Sequence, residues 1–235
     1  MKKFLLLTIL SVIIISCAGD TENTMTVTGT IKGLKKGHLY LQKIQDSTLT
    51  AIDSLQIKGD GNFTFKTELE SPEVFYLYLK KEDNNDINDR ITFFGEPGLI
   101  TVNTSWNTID TNVKIKGSRT HEKLEEYKAI MSKFNAENLD IIQSSFKPEI
   151  QKDSLAMDSI QKLSDRNFLR GYRYALNFAL NNKDSHIAPY VALTEVADAN
   201  PKYLDSIYVS LTPEVANSKY GMALRDYLKD IKSNE

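Results

Sequence analysis

Apolar and polar positions alternate with period two through the first half of the chain, and recur at three and four spacing through the second. Between Met25 and Gly117, short runs rich in Val, Ile, Thr, Tyr and Phe are broken by Gly, Asn and Asp, as strands and turns require. The spacing predicts strands over 25–31, 38–43, 51–57, 62–69, 74–80, 91–94, 99–103 and 112–115. Gly59-Asp60-Gly61-Asn62 reads as a tight hairpin turn, because glycine takes positive φ without a Cβ clash. Phe63 and Phe65 then share one face. Short antiparallel strands of this kind pack as a sandwich or a partly open barrel.

After Gly117-Ser118 no strand-like run recurs. Leu124, Tyr127, Met131 and Phe134 set a helical stripe, which Ile160, Leu163, Tyr172, Leu176 and Ala179 continue beyond a break near Pro148. Asn200-Pro201 and Thr212-Pro213 each put a capping side chain before a proline at the first helical position, so a helix starts at each. A last helix carries Tyr220, Leu224, Leu228 and Ile231 on one stripe. These stripes read as core, with a face for a partner helix as the alternative. The expected class is α+β, with an antiparallel β-sandwich or open barrel over 25–117 followed by a helical region over 118–235. No Gly, Ser or Pro-rich spacer separates the two, so they are expected to form one unit.

The first residues follow neither pattern. Met1, Lys2 and Lys3 precede a run from Phe4 to Ile15 interrupted only by Thr8 and Ser11, which reads as a signal peptide over 1–16. A spanning helix needs about 20 apolar residues, and this run is too short to hold itself in a bilayer. Ile14-Ile15-Ser16-Cys17 resembles the bacterial lipobox. The resemblance implies cleavage before Cys17 and lipidation, palmitate included, of its thiol. Several acyl chains on one residue give stable anchoring where a single chain would not. Residues 17–24 then form a polar tether. The expected location is the cell envelope, as an outer-membrane lipoprotein. Asp20 and Glu22 loosely resemble a surface-export signal, so the periplasmic and surface sides both stay open.

Composition narrows the chemistry. Cys17 is the only cysteine, so once it is lipidated no disulfide, free thiol or thiolate metal ligand remains. The net charge of −2, made more acidic by loss of Lys2 and Lys3, argues against nucleic acid as a partner. His38, His121 and His186 lie far apart and read as surface or capping histidines, with no metal site expected. Glu82-Asp83-Asn84-Asn85-Asp86-Ile87-Asn88-Asp89 lacks the glycine and terminal glutamate of a calcium loop and reads as a solvated hairpin tip. No nucleophile elbow, P-loop or dinucleotide fingerprint appears, so neither a catalytic site nor a cofactor is expected.

Two positions stand out as a candidate binding surface. Glu96-Pro97-Gly98 reads first as a turn, with Glu96 as the polar group of a site in the other reading. Trp106, in the loop 104–111, is either an exposed binding aromatic or folded back on the sandwich edge. Asp-Ser and Asp-Ser-Thr pairs put Ser47, Thr48, Ser54, Ser154, Ser159 and Ser206 in contexts that resemble the O-glycosylation sites of exported Bacteroidota proteins. Such pairs are equally at home in turns and helix starts.

The β half also carries a set of spaced residues: Val27-x-Gly29-x-Ile31, Leu39-Tyr40-Leu41, Asp53-Ser54, Gly61-x-Phe63-x-Phe65, Pro72, Phe75-Tyr76-Leu77, Phe94-x-Glu96-Pro97-Gly98 and Val113 to Gly117-Ser118. Together they resemble the N-terminal β-domain of unknown function in Bacteroidota lipoproteins of the AhpC/TSA and thiol-disulfide interchange type. Ser218-x-Tyr220-Gly221 and Leu224 resemble the helical linker that follows it there. In that family a thioredoxin-like domain with a CxxC motif comes last, whereas this sequence has no CxxC and runs to Glu235, about where that domain would start. The resemblance therefore implies an accessory module, with no catalytic residue carried over. The partner expected is another envelope protein, thioredoxin-like if the resemblance extends to function; a small-ligand carrier is a further alternative.

Overall fold

Among the residues that the computed structural model describes, 22–81 and 89–233, eight strands precede seven helices. The signal peptide, Cys17, most of the tether and the acidic stretch 82–88 lie outside the described residues. The strands are β1 Thr24–Lys32, β2 Lys36–Gln45, β3 Thr48–Lys58, β4 Asn62–Glu68, β5 Glu73–Lys81, β6 Asp89–Gly95, β7 Gly98–Ser105 and β8 Lys114–Lys116. They form two four-stranded sheets, ordered β4-β1-β7-β8 and β3-β2-β5-β6. Met25, Val27, Ile31, Phe63, Phe65, Ile100 and Val102 from the first meet Leu39, Leu41, Phe75, Leu77, Leu79, Ile91 and Phe93 from the second in one buried core. The expected sandwich is therefore formed, and the class is α+β.

Two details depart from the sequence reading. The β1–β7 pair is parallel, so the first sheet is mixed and not wholly antiparallel. Strands far apart in sequence are free of the short-hairpin constraint that enforces antiparallel pairing. Their close approach needs Gly29, where a Cβ would stand 1.8 Å from the carbonyl oxygen of Val102. The Gly59–Asn62 turn is not a hairpin within one sheet: it carries the chain from β3 in one sheet to β4 in the other. The two-residue hairpin turn is Asp46-Ser47 instead, with φ of 46° and 64°, joining β2 to β3. Strand β3 is also longer than the predicted 51–57, and β8 shorter than 112–115.

The helices are α1 Arg119–Ser145, α2 Pro148–Gln151, α3 Ser154–Asn181, α4 Ile187–Glu195, α5 Pro201–Ser210, α6 Pro213–Ala216 and α7 Lys219–Ser233. Asn200 and Thr212 cap α5 and α6 before their prolines, as the sequence indicates. Helix α4 escapes the periodicity reading because its run of Ile187, Ala188, Val191 and Ala192 is apolar on most sides, which is the mark of a helix surrounded by others. It lies at the centre of a second core with Leu124, Tyr127, Phe178, Leu204, Ile207, Leu224 and Leu228.

Side-chain alternation on β5 and β6 decides where the helices dock. Phe75, Leu77, Ile91 and Phe93 point into the sandwich, so Val74, Tyr76 and Phe94 point to the opposite face and join the helical core. Phe94 is fully buried and meets Tyr190 and Tyr220 edge-on, with ring centroids 5.6 and 5.8 Å away. Beside it the backbone N–H of Val74 donates to the Tyr220 hydroxyl at 3.1 Å, and that of Lys219 to the Ser71 hydroxyl at 3.0 Å. The buried Glu73 carboxylate accepts from Lys43 at 2.8 Å and from Lys219, so a charge with partners from both halves closes the seam.

Candidate protein-binding surface

The residues singled out from sequence are mostly spent on structure. Ser118 caps α1 by accepting from the His121 N–H at 3.0 Å. The Glu96 carboxylate completes that cap: it accepts from the N–H of Arg119, from the N–H of Thr120 at 3.3 Å and from the Thr120 hydroxyl at 2.7 Å. Glu96 thus satisfies donors at a helix N-terminus, where negative charge is favoured, and is not a free binding group. The turn reading of Glu96-Pro97-Gly98 holds beside it, with Gly98 at φ +113° opening β7.

Trp106 folds back on the sandwich edge and stays partly exposed. Its ring lies against Gly33, where a Cβ would stand 2.7 Å from the indole Cδ1, and Lys81 sits 5.5 Å from the ring centroid, while the rest of the side chain stays exposed. Ser47 and Thr48 sit at the β2–β3 turn, Ser54 on β3, Ser154 and Ser159 in the first turns of α3, and Ser206 on α5; all six are exposed. Asp153 caps α3 by accepting from the N–H groups of Leu155 and Ala156, so at that site the helix-start explanation of the Asp-Ser pair is realised.

The histidines do not converge, and His121 is neither surface nor cap. It is buried, and its Nδ1 accepts from the Phe94 N–H at 3.3 Å across the β6–α1 seam. Burial pushes its pKa down, only partly offset by Glu125, whose carboxylate lies 3.8 Å away. His186, at the start of α4, is lowered for the same reason. His38 stacks on Tyr40. Among the described residues no group of three or more His, Cys, Asp or Glu is placed to hold a metal ion.

What remains is a helical arm. From Lys128 to Arg166, across the end of α1, the short α2 and the start of α3, no residue is buried. At 1.5 Å per residue, the part of α1 beyond Tyr127 is about 27 Å long. Along it Leu139, Ile142 and Phe146 fall at i, i+3 and i+7, one face of the helix. Phe146 is 68 % exposed and Leu155, just after the α2 turn, 78 %. Nearer the body Leu163 is 45 % exposed, against its reading as core, and Phe168 is 65 % exposed. A monomer gains nothing from presenting such side chains together, and grouped exposed apolar residues mark interaction surfaces. Sequence could not single them out: their three and four spacing is the same whether a helix faces a core or a partner.

At the foot of the arm the phenol of Tyr127 donates to Glu195 at 3.1 Å, and that of Tyr172 to Asp198 at 3.1 Å. Burial first, then the carboxylate beside it, pushes each phenol upward, Tyr172 to about 12, so both remain neutral donors. They hold α1 to the end of α4 and α3 to the loop that follows it.

Residues 25–124 match the family model of DUF4369, a domain of unknown function. The DUF4369 match runs past the last strand to Leu124, and so takes in the Glu96–Thr120 cap and the His121–Phe94 bond that weld α1 to the sheet. The arm and the helices after it lie beyond the matched DUF4369 residues. No curated protein matches the chain.

Proposed function

We propose that this protein is a non-catalytic lipoprotein of the cell envelope, anchored through Cys17, and that it works as a binding module whose helical arm docks another envelope protein. The observation that supports the docking role is the arm itself, a helical projection over 128–166 with no buried residue and exposed Leu139, Ile142, Phe146 and Leu155. The anchor rests on the signal and lipobox pattern of the first 17 residues. Among the described residues no helix is long and apolar enough to cross a membrane. The resemblance of the β half to thiol-disulfide interchange lipoproteins favours a thioredoxin-like protein as the partner, which would make this chain the accessory half of such a system.

The test is chemical crosslinking in native membranes followed by purification of the full-length lipidated protein and a Phe146→Asp/Leu155→Asp variant. Both substitutions sit at exposed sites and leave the core untouched. The wild type is expected to carry a thioredoxin-fold protein that the variant loses. Equal recovery of that protein with both forms would refute the arm as the docking surface.

A further inference from the structure

Where the arm joins the body, α1 and α3 part to leave a cleft of about 600 Å³. Tyr127, Met131 and Phe134 form its α1 wall, Phe168 and Tyr172 its α3 wall, and Asn167 and Gly171 lie between them. Three features of this cleft are unexplained by folding alone.

The first is Gly171. A glycine inside a helix costs about 1 kcal/mol relative to alanine, and here neither φ nor crowding demands one. A Cβ would meet Met131 and Phe134 at 3.6 Å, an ordinary contact. A methyl group there would lie against α1 at no steric cost.

The second is Asn167, one turn earlier and only 3 % exposed. Its Nδ2 donates to the Phe134 carbonyl at 2.8 Å, which fixes the amide orientation and leaves Oδ1, itself buried, without a partner among the described residues. A buried acceptor without a partner is costly, and it points to a donor brought by a ligand.

The third is charge. Asp165 and Glu195 stand on the lining, and no lysine or arginine does. Arg170, on the neighbouring face of α3, is held by both oxygens of Glu137 at 3.0 Å and lies 5.3 Å from the Phe134 centroid. A cation is thus already accommodated on the arm by the same pairing of carboxylate and aromatic ring. The cleft offers that pairing again, with an unpartnered acceptor added.

We infer that this cleft receives a lysine or arginine side chain of the docked partner protein, its alkyl stem between the aromatic walls and its N–H groups on Asn167 Oδ1 and the Glu195 and Asp165 carboxylates. Aromatic faces and carboxylates both favour a cation, and long basic side chains bury their stems against apolar surface. The inference rests on the docking role of the arm and names what the partner must present.

The probe is the full-length lipidated protein in detergent with 13C-labelled methionine methyls, titrated with acetyl-Gly-Gly-Lys-Gly-Gly-amide, its arginine and norleucine counterparts, and free 1,5-diaminopentane. Met131 lines the cleft, whereas Met25, Met157 and Met222 do not, so each reports where a probe sits. The lysine and arginine peptides are expected to shift Met131 alone. The norleucine peptide should bind about tenfold more weakly, and an Asp165→Asn/Glu195→Gln variant should weaken the basic peptides by a similar factor, the scale of one charge-assisted contact. Glutamine at 195 can still accept from Tyr127, so the fold is kept. Equal binding of norleucine, shifts at Met157 without Met131, or no shift at all would overturn the cation cleft. Diaminopentane binding about tenfold tighter than either peptide would overturn the partner side chain as its source. Loss of the crosslinked partner in Phe146→Asp/Leu155→Asp tests the arm separately, so the docking role can stand while the cleft falls, and the reverse.

Discussion

Phe94→Ala is the substitution that best probes whether the sandwich and the helices are one unit. The ring is fully buried on the outer face of β6 and packs edge-on to Tyr190 of α4 and Tyr220 of α7, so the change empties a hole in the helical core without touching the interior of the sandwich. Buried Phe→Ala costs about 3–5 kcal/mol, and two edge-on aromatic contacts, worth roughly 0.5–1.5 kcal/mol each, put this site in the upper part of that range. The loss is a large share of the 5–15 kcal/mol that typically holds a domain, and at about 2–4 °C per kcal/mol for a chain of this size it lowers Tm by roughly 8–20 °C. The assay is urea denaturation followed by two probes: far-UV circular dichroism reports the helices, and Trp106, the single tryptophan, reports the far edge of the sandwich. If the seam through Val74, Phe94, Tyr220 and the Glu73 cluster couples the halves, both midpoints fall together. A fall in the circular dichroism midpoint with the fluorescence midpoint unmoved would refute the coupling and leave two independently stable halves.

Other consequences can be checked as directly. Burial holds His121 and His186 below the ordinary histidine pKa of about 6.5, so below that pH the unfolded chain takes protons that the folded chain refuses. Stability is then complete above the ordinary value and lost as pH falls through it, at up to about 1.4 kcal/mol per pH unit for each group. Protonation also removes the lone pair that accepts from Phe94, and His121→Asn should flatten the profile measured between pH 7.5 and 5. Gly171→Ala is expected to raise stability by about 0.5–1 kcal/mol in chemical denaturation, because the helix gains propensity and the new methyl meets its neighbours at contact distance; a loss would show that the cleft is too tight for a Cβ. Cys17→Ser should release the protein from washed membranes into the soluble fraction, and retention after a high-salt wash would remove the lipid anchor.

The sequence alone determined the order and kind of most elements. Period-two alternation ending at Gly117-Ser118 located the β half, because a strand must turn successive side chains to opposite faces whatever it packs against. Asn200-Pro201 and Thr212-Pro213 located helix starts, because a cap and a proline act through the local backbone. Only the tertiary structure decided what each face meets. The parallel β1–β7 pair and the crossing at Gly59–Asn62 depend on which strands lie side by side, a matter of distant chain segments that no local spacing records. Phe94 and Phe93 are identical neighbours in the sequence, yet one enters the helical core and the other the sandwich. Glu96, read from sequence first as a turn residue and only alternatively as part of a site, serves as a cap because α1 begins beside it, 23 residues later in the chain. Leu124 and Leu139 stand on the same helix, one buried and one exposed, because the body of the protein ends between them. Periodicity specifies that a face is apolar, and burial depends on whether another part of the fold arrives to cover it.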